Sequence, residues 1–133
     1  MEYLIKNDII AINQLMIEKF GGNYVPPENL LKPAALDYLI EIVNAEVFGT
    51  RLYPEIHHIA GVYFFNIIDG HIFQDGNKRT GLEASLLFLK LNDYELHASN
   101  QELIDFATDV GSGKETLETV QAWIKSRLVK SSN

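Results

Sequence analysis

The amino-acid sequence predicts an all-α protein, a single-domain compact bundle of about six helices. Its 133 residues are the length of one ordinary domain. Apolar residues recur every three or four positions along most of the chain, which is the period of a helix. Capping residues, glycines and prolines separate six such stretches. Short strands fit only at residues 48–53, as a β-like flap, and around residues 94–97. We assign the domain to residues 1–129 and expect a frayed tail over residues 130–133.

The first two helices lie between clear start and stop signals. Asn7 or Asp8 can cap the first helix, and the glycine pair that begins at Gly21 ends it. Pro33 suits the first turn of the second helix. The apolar face of that helix continues to Val47, shortly before another glycine. We therefore predict two amphipathic helices joined by a connector that contains prolines.

The remaining four helices are predicted from the same signals. The third covers about residues 54–68. The fourth covers about residues 77–92 and is apolar nearly all round, which is typical of a central, buried helix. Capping-box patterns at residues 99–102 and 112–115 open the fifth and sixth helices. A chain of this length can bury about two-thirds of its unfolded surface, so it needs no metal or disulfide to fold.

The composition excludes several classes of protein. Eleven Lys and Arg against 18 Asp and Glu leave a net charge of −7, which argues against a nucleic-acid binder and against a polybasic membrane anchor. The absence of cysteine excludes a disulfide scaffold, a thiolate zinc site and a cysteine nucleophile. The sequence shows no targeting segment and no apolar stretch long enough to span a membrane. We expect a cytoplasmic protein with neither nucleic acid nor membrane as a direct partner.

One polar segment stands between the predicted third and fourth helices. Residues 70–81 read GHIFQDGNKRTG and lie between two strongly apolar stretches. Burial of these polar groups would cost free energy unless each found a partner, so stability alone does not require them. Lys78 and Arg79 fall in the first turn of the next helix, where cations are unfavourable. A bound anion such as phosphate would make cations favourable at this position.

The other polar residues of the segment have uses at a phosphate site. Gly76 allows a tight turn and close approach of a ligand. Asp75 can hold Mg²⁺ together with phosphate oxygens and water. A histidine such as His71 can accept a proton near neutral pH. Together these residues predict a site for a magnesium nucleoside triphosphate with a general base. Three simpler interpretations stay open: Asp75 as a helix cap, Arg79 as a surface charge and His71 as a structural residue.

Residues 71–79 read HIFQDGNKR and resemble the signature H-x-F-x-[D/E]-[G/A]-N-[G/K]-R of the Fic/Doc superfamily. The chain is most similar to the Doc (death-on-curing) branch, the toxins of Phd–Doc toxin–antitoxin modules. Lys78 decides the branch, because Fic adenylyltransferases usually have glycine at that position. They also carry a second arginine three residues after the first, where this chain has Leu82. The resemblance covers nearly the whole chain, more loosely before Pro33.

The resemblance implies the Fic/Doc fold and an enzyme that uses ATP to phosphorylate a threonine of elongation factor Tu, which stops translation. The implied roles are proton acceptor for His71, Mg²⁺ ligand for Asp75, and phosphate contacts for Gly76, Asn77, Lys78 and Arg79. In the Doc branch the nucleotide is understood to bind reversed, with its γ-phosphate at the target hydroxyl. The loop at residues 48–55 would be a flap that aligns the target segment by strand addition. The flap residues are Arg51, Leu52 and Tyr53.

Two alternatives to the kinase stay open from the sequence. A Fic-type adenylyltransferase would use the same residues to transfer AMP to a protein hydroxyl. A non-catalytic module would keep the bundle and only bind a nucleotide or a partner. The chain has no match to the inhibitory pattern [S/T]-x-x-x-E-[G/N] that restrains many Fic proteins. We therefore expect a separate antitoxin that inhibits in trans, folding as an amphipathic helix on the bundle.

Overall fold

The structure is a computed structural model that describes residues 1–131. Within them it confirms the predicted all-α bundle of six helices. The helices are α1 (Lys6–Phe20), α2 (Pro33–Ile42), α3 (Ile56–Asp69), α4 (Asn77–Leu91), α5 (Asn100–Gly111) and α6 (Leu117–Arg127). The strands are β1 (Glu46–Val47), β2 (Thr50–Arg51), β3 (Tyr94–Leu96) and β4 (Leu128–Lys130). They form two antiparallel pairs, β1 with β2 and β3 with β4.

Helix α3 lies at the centre of the bundle. It packs most extensively against α4 and α6, and nine of its residues are buried. Helix α4 packs on α1, α3 and α5 but exposes Glu83 and Lys90 to solvent. The central position that the sequence predicts for the fourth helix is therefore shared with the third, because α3 carries fewer charged residues along its length.

Helices α3 and α4 approach each other closely at a glycine. A Cβ atom on Gly81 would lie 2.6 Å from Ile68 Cγ1 and 2.9 Å from the Phe64 carbonyl oxygen. These distances are shorter than van der Waals contact, so the two helices could not pack this closely around a larger residue. The end of α3 and the start of α4 carry the polar segment at residues 70–76. Their tight packing therefore determines where that segment lies.

The second helix is shorter than predicted. Helix α2 ends at Ile42, and Val47, expected on its buried face, is exposed in strand β1. The chain turns instead through Phe48 and Gly49, whose φ angles of 52° and 79° suit a two-residue hairpin turn. That turn pairs Val47 with Thr50, so the hairpin replaces the last turn of the predicted helix. The paired strands cover residues 46–51 rather than the predicted residues 48–53.

The sixth helix begins later than predicted, and residues 128–130 after it form a strand. The side chain of Thr116, not Ser112, caps α6 by accepting a hydrogen bond from the Thr119 backbone N–H. Strand β4 pairs with β3, with Lys130 opposite Tyr94. The expectation of a frayed tail is therefore wrong at Lys130, because a second strand after the helix satisfies its backbone. Residues 132–133 lie outside the described residues.

The two ends of the described chain meet at one turn. The Glu2 backbone N–H donates to Asn92 Oδ1 at 2.8 Å, and Asn92 Nδ2 donates to the Glu2 carbonyl at 2.8 Å. The Ser131 N–H donates to the carbonyl of the next residue, Asp93, at 2.9 Å. Among residues 1–131, no helix combines the length and the apolar character that a bilayer crossing requires.

Candidate active site

The polar segment between α3 and α4 is held in one conformation by its neighbours. Ile72 and Phe73 are completely buried and anchor it in the core. The Ile72 carbonyl accepts hydrogen bonds from the backbone of residues 31 and 32, at 2.8 and 3.0 Å. His71 has a φ of 46°, a left-handed conformation that is uncommon outside glycine. The His71 side chain, in contrast, is exposed to solvent. A fixed backbone therefore presents a free imidazole.

Asn77 holds the turn closed through its side chain. Its Oδ1 accepts from the Phe73 N–H at 2.9 Å, and its Nδ2 donates to the Phe73 carbonyl at 2.9 Å. Both polar atoms of the predicted phosphate ligand are thus engaged within the segment. The contribution that Asn77 can make to an anion comes from its backbone N–H.

The first turn of α4 is open to an anion. Gly76 precedes it with a φ of 79°, a conformation that favours glycine, and no side chain caps the helix. Within residues 1–131, the backbone N–H groups of Asn77, Lys78 and Arg79 have no acceptor. Such groups together carry about half a positive charge and bind phosphate well. The anion site that the sequence predicts here stays a prediction, and these unpaired N–H groups are compatible with it.

Asp75 is hydrogen-bonded but does not cap α4. Its Oδ1 accepts from the adjacent Gly76 N–H at 2.8 Å, and its Oδ2 accepts from the Asn23 N–H at 2.9 Å. A Cβ atom on Gly22 would lie 2.9 Å from Oδ2, so the glycine pair after α1 lets this segment reach the carboxylate. The cap interpretation fails because the carboxylate does not reach the later N–H groups. Each oxygen retains a lone pair that a hard cation could use.

The two cations of the first turn of α4 lie against residues that the sequence did not single out. The stem of Lys78 packs on Gly111, where a Cβ atom would lie 3.0 Å from Lys78 Cδ. The Arg79 guanidinium lies 4.0 Å from the ring centroid of Phe20. Among the described residues, neither cation forms an ion pair with a carboxylate. Both charges are therefore available to an anionic ligand.

A buried polar network supports the segment from behind. Asn13, Asn29 and Thr80 are completely buried. Asn13 Nδ2 donates to the Asp75 carbonyl at 2.9 Å and to Thr80 Oγ1 at 3.0 Å, while Asn29 Nδ2 donates to Asn13 Oδ1 at 2.9 Å. The sequence analysis missed this network. The available signal was an asparagine on the apolar face of α1, next to Ile12.

A single cleft of about 530 Å³ brings the predicted residues together. It is lined by all six residues predicted for catalysis, metal and phosphate binding: His71, Asp75, Gly76, Asn77, Lys78 and Arg79. Phe20, Gly21, Ile68, Gln74 and Gly111 complete the lining. A polar, positively charged cleft with one carboxylate and one imidazole can bind a phosphorylated ligand and accept a proton from a second substrate.

The three predicted flap residues do not line this cleft. Arg51 in β2 donates to the Tyr3 hydroxyl and lies 5.8 Å from the Tyr3 ring centroid. Tyr53 is half-buried, and burial is the main cause of its raised pKa. Leu52 is exposed beside the hairpin. The hairpin is present where a flap is expected, but its side chains stay apart from the cleft.

The side chains available as metal ligands in the cleft fit a magnesium nucleotide better than a metal ion held by protein ligands alone. Within residues 1–131, no three His, Asp or Glu side chains converge as metal ligands. A hard cation at Asp75 would therefore take its other ligands from phosphate oxygens and water, which is the usual coordination of Mg²⁺ in nucleotide sites. The open N–H groups of α4 and the side chains of Lys78 and Arg79 could then contact the phosphate oxygens.

Comparison with known proteins gives concordant matches. Residues 3–89 match the model of the Fic/DOC family. The protein named "Protein kinase doc" from Escherichia phage P1 is 28% identical over 120 residues, which cover 90% of each chain. The protein named "Toxin Doc" from Mycolicibacterium smegmatis is 30% identical over 97 residues, which cover 73% of this chain and 69% of the relative.

Proposed function

Because the chain belongs to the Fic/DOC family, we propose that it is a Doc-type toxin that transfers the γ-phosphoryl group of ATP to a protein hydroxyl. The observation that carries this proposal is the convergence of His71, Asp75 and the open first turn of α4 on one cleft. Similarity to two Doc proteins, one of them named a protein kinase, supports the same conclusion.

The proposed chemistry uses this chain's residues in separate roles. The target oxygen attacks the γ-phosphorus, the bond to the β,γ-bridging oxygen breaks, and ADP leaves with that electron pair. His71 accepts the hydroxyl proton. The N–H groups of α4, with Lys78 and Arg79, stabilise the negative charge on the phosphoryl oxygens. Mg²⁺, when bound, neutralises further phosphate charge, and Asp75 supplies its protein ligand.

The choice of phosphoryl over adenylyl transfer depends on Lys78. Its side chain lies in the cleft against Gly111, where it adds a charge and occupies volume. A nucleotide that binds beside it presents its γ-phosphate to the hydroxyl, as the resemblance to the Doc branch implies. The same cleft without this lysine would have room for the opposite orientation and for transfer of AMP.

The proposed target is a threonine of elongation factor Tu, which places the activity in the cytoplasm. The β1–β2 hairpin would align the target segment by strand addition, because its exposed edge can accept another strand. Arg51, Leu52 and Tyr53 belong to this proposed flap. The target segment would extend from the hairpin to the cleft.

Transfer of label from ATP tests the reaction. The protein would be incubated with purified elongation factor Tu, and in parallel with a bacterial lysate, using γ-labelled and α-labelled ATP. We expect label on a threonine from γ-labelled ATP alone, and no label with His71→Ala. Label from α-labelled ATP would instead establish adenylyl transfer. No label from either nucleotide would contradict an enzymatic function.

A separate antitoxin is the second part of the proposal. Expression of the protein alone should stop growth, and co-expression with the neighbouring open reading frame should restore it. His71→Ala, expressed alone, should be tolerated. Robust growth with the unmodified protein alone, in a host that contains its target, would contradict both the toxin identity and the need for an inhibitor in trans.

A further inference from the structure

The chain that leaves helix α1 forms part of the wall of the main cleft, the space of about 530 Å³ that His71 and Asp75 line. We call residues 20–23 the exit segment, and they read FGGN. Phe20 is the last residue of α1, and it lines the main cleft together with Gly21. The exit segment therefore lies beside the residues to which the proposed function assigns the nucleotide.

The first residue of the exit segment contacts Arg79 through its ring. The Arg79 guanidinium lies over the Phe20 ring, 4.0 Å from its centroid. An aromatic ring contacts the face of a guanidinium and leaves the N–H donors, which lie in the plane of the group, available to a phosphate. A carboxylate partner would instead occupy those donors and neutralise the charge. Phe20 can therefore hold Arg79 in place without competing with an anionic ligand.

The last residues of the exit segment contact Asp75. The Asn23 N–H donates to Asp75 Oδ2 at 2.9 Å, and the Gly76 N–H donates to Oδ1 at 2.8 Å. Gly22 allows this approach, because a Cβ atom there would lie 2.9 Å from Oδ2 and its φ of 131° favours glycine. One hydrogen bond on each oxygen fixes the orientation of the carboxylate, as it does for carboxylates that bind metals.

The exit segment is itself held at both ends. The Gly21 N–H donates to the Ile17 carbonyl of α1 at 2.8 Å. Two residues beyond the segment, the Val25 N–H donates to Asn29 Oδ1 at 2.8 Å, and Asn29 is completely buried. A segment anchored in this way can keep the groups that it contacts in one geometry.

We propose that the exit segment positions two groups that act on the nucleotide. Its Phe20 ring directs the Arg79 guanidinium towards phosphate, and its Asn23 N–H directs the Asp75 carboxylate towards Mg²⁺. This proposal rests on the proposed function, which assigns both groups to a magnesium nucleotide. Phe20 and Asn23 are positioning residues, because they act through Arg79 and Asp75. Since the two contacts serve different parts of the ligand, the loss of each should change a different part of nucleotide binding.

Calorimetric titration of inorganic tripolyphosphate without Mg²⁺ tests the Phe20 contact. Phe20→Leu keeps an apolar side chain but removes the aromatic face, and we expect it to weaken binding about two- to fivefold. Phe20→Trp keeps the face and should retain the affinity. In an Arg79→Gln background, Phe20→Leu should have no further effect, because Phe20 acts only through the guanidinium. Tyr38→Leu, at an exposed aromatic residue of α2 outside the main cleft, is the matched control and should bind normally.

Titration of ATP with and without Mg²⁺ tests the Asp75 contact. Gly22→Ala should displace the segment from the carboxylate, and Asn23→Pro removes the N–H donor itself. We expect either variant to weaken binding at least about tenfold with Mg²⁺ and less than about twofold without it. The control is Gly113→Ala, which shares a left-handed φ, of 81°, but has nothing within 4 Å of the added Cβ atom and lies outside the main cleft. It should change neither affinity.

The outcomes separate this proposal from the proposed function. Unchanged tripolyphosphate binding in Phe20→Leu, or the same loss with and without Arg79, would overturn the role of Phe20. Equal losses with and without Mg²⁺ in folded Gly22→Ala and Asn23→Pro would overturn the positioning of Asp75. Each of these results would leave the proposed function intact, provided that the unmodified protein binds ATP. If the unmodified protein bound neither ATP nor tripolyphosphate, the proposed function itself would fail.

Discussion

His71 combines a left-handed backbone with an exposed imidazole in the main cleft. Such conformations cost free energy and occur often at functional sites. We predict that His71→Ala lowers the rate of transfer by about 10²–10⁴-fold, the usual contribution of a general base. Nucleotide affinity should be nearly unchanged, because the groups proposed to contact the phosphates belong to α4. Initial rates and calorimetric titration measure the two quantities.

The control for this prediction is another exposed histidine. His97 precedes helix α5 and does not line the main cleft. His97→Ala should therefore keep full transfer activity. Full activity in His71→Ala would remove His71 from the mechanism, and an equal loss in both variants would indicate a general loss of folded protein.

Asp75 has one observed role and one proposed role, which a single substitution can separate. Its carboxylate accepts two backbone N–H groups, and it is the proposed ligand of Mg²⁺. Asp75→Asn keeps an acceptor oxygen but removes the charge. We predict that it weakens nucleotide binding in the presence of Mg²⁺ more than in its absence, because only the former needs the charged ligand.

Titration of ATP with and without Mg²⁺ gives this comparison directly. Asp109, a half-buried residue paired with Lys114 and outside the main cleft, supplies the control Asp109→Asn. That variant should bind nucleotide normally under both conditions. Equal losses with and without Mg²⁺ in Asp75→Asn would support a purely structural role for Asp75.

At the scale of the elements, the close packing of α3 against α4 predicts whether Gly81→Ala stabilises or destabilises the protein. In an exposed helix, glycine to alanine stabilises by roughly 0.5–1 kcal/mol. At Gly81 the added Cβ would meet Ile68 Cγ1 at 2.6 Å and the Phe64 carbonyl at 2.9 Å. We therefore predict that Gly81→Ala destabilises the protein by about 1–3 kcal/mol, as overpacking does. Urea unfolding measures the free energy.

The neighbouring exposed position provides the reference for that measurement. Glu83→Ala on the solvent face of α4 should change the free energy of unfolding by less than about 0.5 kcal/mol. A stabilising effect of Gly81→Ala would mean that the two helices can separate at little cost. The position of the polar segment would then depend on the Asn13 network instead.

The elements also show which parts of the fold a sequence can predict. Helices α3, α4 and α5 and the end of α1 follow from hydrophobic period and end signals, which are local. The start of α1 was predicted wrongly, because the helix begins at Lys6, before the expected cap at Asn7 or Asp8. The end of α2 cannot be predicted in this way, because the apolar spacing continues to Val47. The turn at Phe48 and Gly49 instead pairs Val47 with Thr50 in a strand. Strand β4 is too short to recognise alone and exists through its pairing with β3.

The candidate site, too, contains residues that the sequence can predict and residues that it cannot. The six cleft residues predicted from the sequence lie within nine consecutive positions, so a motif can reveal them. Phe20, Gly111 and the buried Asn13 are far away in the chain and reach the site only through packing of α1, α4 and α5. Their contribution depends on tertiary structure, which no local pattern encodes.

At the scale of the whole molecule, we predict that the buried His57 makes stability depend on pH. Burial, followed by nearby His58 and Lys125, lowers the pKa of His57 below 6.5, while Glu55 acts in the opposite direction. The unfolded chain therefore binds this proton more readily than the folded protein. Stability should be complete above about pH 6.5 and should decrease as the pH falls below that value towards the folded pKa.

Urea midpoints between pH 7.5 and 5 measure this loss. Hydrogen bonding from Ser99 lowers the pKa of Glu102 below 4.5, so that carboxylate contributes a loss only at lower pH. His57→Gln should flatten the profile between pH 6.5 and 5. An unchanged slope in this variant would assign the pH dependence to other groups.

The hydrogen bonds of Glu2 and Ser131 to the neighbouring residues Asn92 and Asp93 have a consequence for the connectivity of the chain. Both ends reach one turn, so a linker of a few residues, at up to about 3.5 Å each, can join them. The loop at Gly113 is exposed, and nothing lies within 4 Å of a Cβ atom placed there. We predict that a circular permutant opened at Gly113 folds with the original helical circular dichroism spectrum and retains nucleotide binding. Loss of the cooperative unfolding transition would show instead that the order of α5 and α6 along the chain is essential.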